Sequence, residues 1–478
     1  MKRTKHDLVI VGAGSGGYAA ARTARDLGAD VALVDHGPLG GLCILRGCMP
    51  SKALIASSDA AYDVREAREL GIHAEKISID YGHIRRRKHR LIKEFADYRI
   101  EGIEKFPLYM GHAKFLSGTE LQVGEHEIVE APKFIIATGS VVAPASAVHG
   151  LEETGYIDSD GALELEQLPK SMIVLGGGYI GCELGQFFAR MGVKTSIVLR
   201  SPHLLSGEDH DIGEALTAYY REEGIEVHTL TQIVRVSKRN GKKVVHVIRN
   251  GVDGELEADE ILYCLGRIPN IAGLDLDAAG VRCHAITGIE TDETMQTCQP
   301  NFYAIGDVAG KHMLVHVAIY EGEIAARNAI TGSRERADYR LQKTHTVFSD
   351  PQVAVVGATE RELERAGTAY VKGTYEFAEH GKAMCLNKTK GFVKVLASIP
   401  DGTILGASVL GPDGSDLIHE MIVAMNYNAT VQEFIKIPHL HPTLAEIWTY
   451  PAEECCAKLS IGEAGEIEPE IMTGGTAG

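Results

Sequence analysis

The stretch Leu8-Val9-Ile10-Val11-Gly12-Ala13-Gly14-Ser15-Gly16-Gly17 decides the fold of the first part of this chain. Four apolar residues predict a short buried strand, and the glycines that follow have the spacing G-x-G-x-x-G. A helical stretch from Tyr18 to Leu27 and a second strand that ends at Val34-Asp35 come next. Strand, glycine-rich turn, helix and strand form the dinucleotide-binding unit, in which phosphate oxygens approach the backbone at the start of the helix.

The same pattern occurs again 164 residues further along the chain. Residues 172–175 predict a strand, Gly176-Gly177-Gly178-Tyr179-Ile180-Gly181 repeats the glycine spacing, and a helix to about Met191 and a strand to Leu199 follow. One such fingerprint is weak evidence, because packing turns also use glycine, whereas two copies in the same context favour two nucleotide sites. The glycines predicted to contact the nucleotides are Gly12, Gly14 and Gly17 in the first copy and Gly176, Gly178 and Gly181 in the second.

The two copies differ at the end of the second strand. Asp35 lies eighteen residues after Gly17, whereas Leu199 and Arg200 stand at the matching place after Gly181. An acid there hydrogen-bonds an adenosine ribose hydroxyl, and an arginine accommodates a 2′-phosphate. The first site is therefore predicted to hold an unphosphorylated adenosine, as in FAD, and the second favours NADP(H) over NAD(H). The alternative for Arg200 is a solvated loop charge.

Two cysteines, Cys43 and Cys48, stand in the run Gly40-Gly41-Leu42-Cys43-Ile44-Leu45-Arg46-Gly47-Cys48-Met49-Pro50-Ser51-Lys52, which follows the first fingerprint. Two thiols beside a bound cofactor suggest a disulfide that takes electrons from it. A regular helix places cysteines five apart roughly at or beyond the ~7 Å Cα limit for a disulfide, so a bridge needs a distorted turn, which Gly47 could supply. A strained bridge is easier to reduce and is typical of catalytic or regulatory disulfides. The alternative is two unrelated buried cysteines.

Length and composition limit the classes of function. The 478 residues suggest roughly three domains, and the net charge of −17 argues against nucleic acid as a partner. Nine cysteines do not form a secreted disulfide framework and fit a reducing compartment, so we expect a cytoplasmic protein. No uninterrupted apolar stretch reaches about eighteen residues, which argues against a membrane span. His312 and His316 have a metal-like spacing without an obvious third ligand, so no metal site is predicted.

From about Lys343 the sequence pattern changes. Apolar residues at 347, 353–356, 391–397 and 404–410 predict strands, and residues 416–425 predict a helix, so this part of the chain is predicted to be α+β. Residues 462–478 are acidic and glycine-rich with little to bury, and we expect them to be a mobile tail.

Together these features resemble the flavoprotein disulfide reductases, the family that includes dihydrolipoyl dehydrogenase, glutathione reductase and mercuric reductase. The resemblance covers residues 6 to about 450 and begins with the two fingerprints and the run 40–52. Its other motifs are Ile135-Ile136-Ala137-Thr138-Gly139-Ser140, Leu265-Gly266-Arg267-Ile268-Pro269-Asn270, Tyr303-Ala304-Ile305-Gly306-Asp307-Val308, Val347-Phe348-Ser349-Asp350-Pro351 and His439-Leu440-His441-Pro442-Thr443-Leu444-Ala445-Glu446.

The resemblance implies an α/β fold with two Rossmann-like dinucleotide-binding domains, for FAD and NAD(P), and a C-terminal α+β dimerisation domain. It implies that the FAD-binding domain is interrupted and then resumes, so that its two parts are residues 1–148 and 273–342. The NAD(P)-binding domain would occupy residues 149–272 and the dimerisation domain residues 343–461, ahead of the tail at 462–478.

The resemblance also implies cofactor contacts. In the family, the Asp307 position holds the flavin ribityl chain, the Lys52 and Glu183 positions form an ion pair near the flavin N5, and His316 falls where relatives pass close to the flavin. The cofactor-binding residues that the resemblance adds to the fingerprint glycines, Asp35 and Arg200 are Gly41, Lys52, Thr138, Gly139, Glu183, Gly266, Arg267, Gly306, Asp307 and His316.

The catalytic roles come from the same resemblance. Cys48 would lie against the flavin and Cys43 would exchange with the substrate. His441 is the natural base because an imidazole exchanges protons near neutral pH, and Glu446 would orient its ring. In the family this histidine comes from the partner subunit, so we expect a homodimer whose active site is shared between subunits.

The predicted function is FAD-dependent oxidoreductase activity that passes electrons between NAD(P)H, flavin, the Cys43–Cys48 disulfide and a small disulfide or dithiol. The motif around His441 resembles dihydrolipoyl dehydrogenase, whereas Arg200 and residues 350–354 resemble mercuric reductase. An NADPH-dependent reductase of mercuric ion or of another disulfide, such as glutathione, therefore stays open. A non-catalytic FAD-binding redox sensor is a third alternative, against which the complete set of thiols, base and Glu446 argues.

A second pair of cysteines, Cys455-Cys456, lies near the end of the chain. Mercuric reductase ends in an adjacent cysteine pair that passes metal to the active site, but the position of this pair does not match. Two buried helix cysteines are the preferred interpretation, and a second redox or metal pair is the alternative.

Overall fold

The first fingerprint lies in a parallel sheet of the computed structural model, which describes residues 1–464. The strands up to residue 142 are β1 (Lys2–Lys5), β2 (Leu8–Val11), β3 (Val31–Asp35), β4 (Leu108–Met110), β5 (Ala113–Phe115), β6 (Glu120–Val123), β7 (Glu127–Glu130), β8 (Phe134–Ile136) and β9 (Ser140–Val142). The helices are α1 (Ser15–Asp26), α2 (Leu42–Arg46), α3 (Cys48–Glu66) and α4 (Tyr81–Ile103). Strands β8, β2, β3 and β4 lie side by side in that order and are parallel. All four residues of β2 are buried, as a central parallel strand requires.

The helix after the first fingerprint begins earlier than predicted. It starts at Ser15 instead of Tyr18, so Gly16 and Gly17 belong to its first turn. A Cβ atom at Gly17 would lie 1.9 Å from the backbone oxygen of Gly12. The first turn of α1 therefore packs directly on the end of β2 because it has no side chain there, a contact that sequence periodicity does not reveal.

The second fingerprint lies in a parallel sheet of its own. The elements of this part are α5 (Leu151–Thr154), α6 (Ser159–Glu164), β10 (Ser171–Leu175), α7 (Tyr179–Arg190), β11 (Lys194–Val198), α8 (His210–Glu222), β12 (Glu226–His228), β13 (Thr231–Arg239), β14 (Lys242–Arg249), β15 (Val252–Ala258), β16 (Glu260–Tyr263) and β17 (Arg267–Pro269). The parallel order is β12-β11-β10-β16, and β13, β14 and β15 form a separate antiparallel sheet. Strand β17 returns to pair with β9.

The next segment returns to the first sheet. Its elements are β18 (Cys283–His284), β19 (Gly288–Ile289), β20 (Phe302–Ala304), α9 (Val315–Thr331) and α10 (Tyr339–Gln342). Strand β20 pairs in parallel with β8 and completes the five-stranded sheet. Helix α9 packs closely on α1 at Gly322. A Cβ atom at this position would lie 2.5 Å from the backbone oxygen of Gly16, so only glycine allows the contact. The first nucleotide-binding unit is thus assembled from two stretches that are distant in sequence.

The last part is a five-stranded antiparallel sheet with helices, as the pattern after Lys343 predicts. It comprises β21 (His345–Val347), β22 (Gln352–Gly357), α11 (Glu360–Ala366), β23 (Tyr370–Glu376), α12 (Gly381–Leu386), β24 (Phe392–Ser398), β25 (Ile404–Gly411), α13 (Gly414–Asn426), α14 (Val431–Phe434) and α15 (Thr449–Ala464). The strand order is β21-β22-β25-β24-β23. Residues 462–464 belong to α15 instead of the predicted tail, whose remaining residues, 465–478, lie outside the described residues.

A buried arginine joins the three parts of the molecule. The side chain of Arg190 is 1% exposed and forms ion pairs with Asp59 at 2.7 Å, Glu223 at 2.6 Å and Asp350 at 2.8 Å. These acids come from α3, from the residue after α8 and from the loop before β22. Charge and hydrogen bonding satisfy the guanidinium, so the contact fixes how α3, which carries Cys48, meets the second unit.

Across residues 1–464, no helix combines the length and the apolar character needed to cross a membrane.

Candidate active site

The two cysteines of the run 40–52 lie at a break between two helices. Cys43 is in α2 and Cys48 is the first residue of α3, with Gly47 between the helices. A Cβ atom at Gly47 would lie 3.0 Å from the backbone oxygen of Leu42 and 3.2 Å from Cα of Cys43. The predicted distorted turn is present. Position 47 favours glycine because the chain comes close to itself there. A left-handed backbone is not the reason, since φ at Gly47 is −132°.

Both sulfurs are free thiols in the structure, and their pKa values are shifted in opposite directions. The neighbouring Cys43 thiol lowers the pKa of Cys48 to about 6; burial opposes the shift and the Lys52 ammonium assists it. The neighbouring Cys48 sulfur, together with burial, raises the pKa of Cys43 well above its ordinary value. The directions of these two shifts favour the thiolate on Cys48 and the proton on Cys43.

An ion pair lies one helical turn from Cys48. Lys52 Nζ donates to Glu183 Oε2 at 2.7 Å, and Glu183 Oε1 accepts from the backbone N–H of Phe348 at 2.9 Å. The Lys52 ammonium also lies 4.4 Å from the centre of the Phe348 ring. Positions 48 and 52 share one face of α3 because residues four apart are neighbours on a helix. The structure thus brings together Lys52 from the cysteine run and Glu183 from the second fingerprint helix.

Glycines of the first fingerprint and of the cysteine run face each other. A Cβ atom at Gly41 would lie 2.8 Å from Cα of Gly14, and one at Gly12 would lie 2.3 Å from the backbone oxygen of Ala137. Gly14 directly precedes α1, no side chain caps that helix, and its first turn contains no acid. An uncapped helix N-terminus walled by glycine backbone fits the pyrophosphate of FAD.

Asp35 lies beside this glycine cradle at the end of β3. Its Oδ2 accepts from the backbone N–H of Ala13 at 2.8 Å, and its Oδ1 accepts from that of Gly37 at 2.7 Å. Each carboxylate oxygen keeps capacity for a second hydrogen bond, so the side chain is held rigidly and can still accept from a ribose hydroxyl.

Three motifs that are distant in sequence meet at Ser140. Its hydroxyl donates to Asp307 Oδ2 at 2.6 Å, and Arg267 donates from Nε to the hydroxyl at 3.0 Å and from Nη2 to the Ser140 backbone oxygen at 2.8 Å. Burial raises the pKa of Asp307, and the Ser140 hydrogen bond and Arg267 oppose that shift. The glycines predicted in these motifs all have positive φ: Gly139 at 72°, Gly266 at 121° and Gly306 at 66°. The Thr138 hydroxyl donates to the backbone oxygen of Asn270 at 2.7 Å.

Two residues on α9, His316 and Glu321, differ in their exposure and hydrogen bonds. His316 is exposed, and its Nε2 is 2.8 Å from the backbone oxygen of Gln342. Glu321, which the sequence analysis missed, is 1% exposed; its Oε2 accepts from the backbone N–H of Gly306 at 2.6 Å and its Oε1 from the Tyr339 hydroxyl. Glu321 holds the backbone next to Asp307, but it belongs to no motif and Glu323 stands two residues further along the same helix, so the sequence does not single it out.

The second fingerprint has the same backbone construction and a different end. A Cβ atom at Gly181 would lie 2.1 Å from the backbone oxygen of Gly176, whereas Gly178, which precedes α7, has open space around it. Leu199 is buried and Arg200 is exposed after β11. In the second unit the position that corresponds to Asp35 is therefore occupied by the apolar Leu199, and the exposed guanidinium of Arg200 follows it.

The predicted base and its partner are joined in the last part of the chain. Nδ1 of His441 is 3.0 Å from Glu446 Oε2 and 3.2 Å from Oε1. The His441 side chain is 78% exposed, whereas that of Glu446 is 10% exposed. Among the described residues, the hydrogen bonds of the His441 ring go to Glu446 and to neither thiol of its own chain. The ring is thus an accessible imidazole held from below by a buried carboxylate.

The second cysteine pair is in the middle of α15. Cys455 is fully buried and its sulfur contacts the backbone oxygen of Val395 at 3.6 Å, while Cys456 is half-buried. Burial raises the pKa of Cys455 to about 12 and raises that of Cys456 as well. Both features match two inert helix cysteines.

The fold and the site define a flavoprotein that carries a dithiol next to two dinucleotide cradles. Residues 6–322 match the model of the pyridine nucleotide-disulphide oxidoreductases, and residues 344–452 match the dimerisation domain of the same proteins. The chain belongs to the pyridine nucleotide-disulphide oxidoreductase family.

Individual relatives agree with this assignment. The dihydrolipoyl dehydrogenase of Geobacillus stearothermophilus is 36% identical over 94% of this chain and 95% of that protein. The Bacillus subtilis dihydrolipoyl dehydrogenase is 34% identical over 94% of this chain and 96% of that protein. Among solved structures, the HOCl-induced flavoprotein disulfide reductase RclA from Escherichia coli has a TM-score of 0.83 and 26% identity, covering 94% of this chain and 99% of that one.

These likenesses confirm the fold class and the predicted activity. The chain is an FAD-dependent disulfide oxidoreductase that acts on a sulfur group and is similar to dihydrolipoyl dehydrogenase. Its dimerisation domain supports a homodimer.

Proposed function

We propose that Cys43 and Cys48 are the redox pair and that the enzyme oxidises a small dithiol of the dihydrolipoyl type, with NADP⁺ as the favoured electron acceptor. The observation that carries the assignment is the position of the two thiols on either side of the helix break at Gly47, one turn from the Lys52–Glu183 ion pair. The opposite pKa shifts support it, since the pKa of Cys48 is lowered to about 6 and that of Cys43 is raised. A thiolate and a protonated thiol in contact are the products expected when an exchanging disulfide has been opened.

The proposed exchange balances in electrons and protons. One substrate thiol loses its proton to His441 and attacks Cys43 in the oxidised pair, so that a mixed disulfide forms and Cys48 leaves as a thiolate. The second substrate thiol, on losing its proton, attacks the sulfur that is bonded to Cys43. The substrate leaves as a disulfide, and Cys43 leaves as a thiolate that takes one proton. Two electrons stay on the cysteine pair, and the second proton passes to solvent.

Residues around the thiols support this sequence. The Lys52 ammonium stabilises the Cys48 thiolate, and Glu183 fixes that ammonium at 2.7 Å. The bound flavin supplies the two-electron path between the cysteine pair and the nicotinamide. The fingerprint glycines, Asp35 and the Ser140–Asp307–Arg267 cluster would hold the FAD, and Arg200 would bind the 2′-phosphate of NADP(H) where Leu199 replaces the ribose-binding acid.

We further propose that His441 serves the thiols of the partner subunit. Its exposure, the lack of a hydrogen bond to Cys43 or Cys48 among the described residues of its own chain, and its position in the dimerisation domain support a shared site. Glu446 would accept from the ring at Nδ1, so that Nε2 exchanges the substrate proton.

The test of the redox pair compares Cys43→Ser with Cys298→Ser, a matched change at an exposed cysteine outside the site. Cys43→Ser should still be reduced at the flavin by NAD(P)H, measured by loss of flavin absorbance, and should lose lipoamide-linked turnover. Cys298→Ser should keep both. Retained turnover in Cys43→Ser would exclude Cys43 as the exchanging thiol.

Substrate and nucleotide are tested with one panel. Initial rates with NADH and NADPH are measured against lipoamide, oxidised glutathione and mercuric ion. The proposal expects the highest kcat/KM for NADPH with lipoamide; a preference for NADH removes the argument from Arg200, and a preference for glutathione removes the dihydrolipoyl class.

Metal-ion reduction is the second candidate. The reduced pair presents two thiols at a helix break, and one of the similar structures, that of Escherichia coli RclA, is a Cu(II) complex. The mercuric arm of the panel, extended to Cu(II), decides between the two substrates.

We also propose that the domain boundaries 1–148, 149–272, 273–342 and 343–461 hold in the folded enzyme and that it works in the cytoplasm. The return of β20 to the first sheet supports the division of the FAD domain, and nine free thiols support a reducing compartment. Limited proteolysis and fractionation of cells would test the two points.

A further inference from the structure

The carboxylate of Glu446 lies between two histidines. On one side is the exposed ring of His441; on the other is His380, whose side chain is completely buried and whose Nε2 lies 3.5 Å from Glu446 Oε1. His380 stands between the 3₁₀ turn Phe377–Glu379 and α12, where its backbone forms the N-terminal cap of the helix. The sequence gives no signal for this residue, because it is 61 residues from His441 and belongs to no motif.

The two ring nitrogens of His380 lack the hydrogen bonds that a buried histidine normally makes. Within the described residues, neither its Nδ1 nor its Nε2 has a hydrogen-bond partner, although both atoms are buried. An unpartnered buried polar atom is unfavourable because it loses its hydrogen bonds to water, so native structures rarely retain one without a reason. His439 shows the ordinary case, since its Nδ1 contacts the Ile437 backbone oxygen at 2.9 Å and its Nε2 contacts Glu420 at 2.5 Å.

The surroundings fix the protonation of this ring. Burial lowers the pKa of His380, with the charge of Glu446 opposing and that of His441 assisting. The aromatic neighbour is Tyr450 of α15, edge-on at 6.2 Å between ring centres, and Tyr375 of β23 stacks on Tyr450. The charged groups that face His380 are therefore Glu446 and His441. A neutral imidazole has one N–H, and an ionised carboxylate only accepts, so the proton belongs on Nε2 facing Glu446.

We propose that His380 is a positioning residue of the proton relay, which donates from Nε2 to Glu446 Oε1 and so reserves Glu446 Oε2 for His441. The inference rests on the proposed role of His441 as the base. A shift of a few tenths of an ångström from 3.5 Å makes the hydrogen bond, and it replaces the bifurcated contact of Nδ1 with both carboxylate oxygens by a single directed one. With the carboxylate fixed from behind, the His441 ring keeps one orientation although most of it is exposed.

The test compares two substitutions of equal shape. His380→Gln places an amide N–H near the position of Nε2, and His380→Met fills the same space without a donor. His380→Met should lower kcat for lipoamide-linked turnover about tenfold, a part of what a base contributes. It should also move the acid limb of the kcat/KM profile to lower pH, because an unfixed carboxylate stabilises a protonated ring less. His380→Gln should stay within about twofold of the parent and keep its pH profile.

Two controls keep the outcome specific. Flavin content and the rate of flavin reduction by NAD(P)H should be equal in all variants, because neither depends on the relay. Equal behaviour of Gln and Met, whether both are active or both impaired, overturns the inference, since only packing would then matter. His441→Gln, measured alongside, distinguishes the failure of the two proposals. If it retains turnover, the proposed role of His441 as the base is wrong. If it is inactive while His380→Met is unaffected, only the proposed role of His380 is wrong.

Discussion

Two pairs of cysteines in this molecule are close in sequence and opposite in chemistry. Cys43 and Cys48 stand at a helix break, and the pKa of Cys48 falls to about 6. Cys455 and Cys456 are adjacent in the middle of α15, and the pKa of Cys455 rises to about 12. If closeness in sequence decided reactivity, the adjacent pair would be the reactive one. The surroundings of the thiols therefore decide their reactivity.

Three differences in surroundings account for the contrast. Cys48 begins a helix of nineteen residues, where the N-terminal dipole favours an anion, whereas Cys455 lies inside its helix. Cys48 has the Cys43 thiol and the Lys52 ammonium as neighbours that lower its pKa, whereas the sulfur of Cys455 contacts a backbone oxygen. Burial acts on both sulfurs in the same direction and prevails only at Cys455.

The largest expected effect of breaking the comparison is on turnover. Cys48→Ser should reduce lipoamide-linked kcat on the order of a thousandfold or more, because the pair can no longer form a disulfide. In Cys456→Ser the kcat should stay within about twofold of the parent value, because that thiol takes no part in the proposed exchange. Steady-state rates at saturating substrate measure both. Comparable losses in the two variants would mean that the second pair takes part in electron transfer.

The helix break is the next target. In Gly47→Ala the new methyl group meets the Leu42 oxygen at 3.0 Å and Cα of Cys43 at 3.2 Å, so α2 must move away from α3. A displaced thiol costs roughly a hundredfold per ångström of misplacement, and we expect a loss of about 10- to 100-fold in kcat. Gly118→Ala, where nothing lies within 4 Å, is the matched control and should behave as the parent. Full activity in Gly47→Ala would show that the break tolerates a side chain.

The pH dependence of alkylation sharpens the comparison further. The folded pKa of Cys48 is below the ordinary thiol value, so the thiolate is present above about pH 6 and is lost as the pH falls through that value. Iodoacetamide should therefore label the reduced enzyme at Cys48 with a midpoint near pH 6, and Cys455 should stay unlabelled at neutral pH. Lys52→Met should move the Cys48 midpoint upward by about one unit, roughly a tenfold loss of thiolate, and Lys105→Met should not. Peptide mass spectrometry of labelled samples measures each midpoint, and an unmoved midpoint in Lys52→Met would assign the shift to Cys43 and the helix alone.

The sequence predicted the framework of this site because its chemistry needs glycine at fixed spacings. Both fingerprints, the run 40–52 and the need for a distortion at Gly47 follow from backbone geometry, which a pattern of residue types records. The predicted start of α1 at Tyr18 was wrong, because a glycine that packs a helix on a strand looks the same in sequence as a glycine in a loop.

The supporting side chains could not be predicted in this way. Glu321, Arg190 and His380 act through contacts with residues that are 15 to 160 positions away, and none of them belongs to a sequence motif. Their meaning depends on burial and on the identity of the neighbour, both of which are properties of the assembled fold. Residue types at fixed spacing thus locate a site, and tertiary contacts decide how it is held.

The smallest expected effect concerns the inert pair as a packing element. Cys455 is fully buried between α15 and β24, so Cys455→Ala removes a sulfur from the core and should destabilise the folded enzyme by about 1 kcal/mol. Cys455→Ser keeps the volume but places a hydroxyl where the thiol made only a long contact, and it should cost at least as much unless the hydroxyl reaches the Val395 oxygen. Thermal unfolding of the reduced enzyme measures both, with turnover unchanged at 25 °C because no step of the exchange uses this sulfur. A loss of turnover without a loss of stability in either variant would contradict the assignment of the pair to packing, and would return Cys455 and Cys456 to the class of reactive thiols.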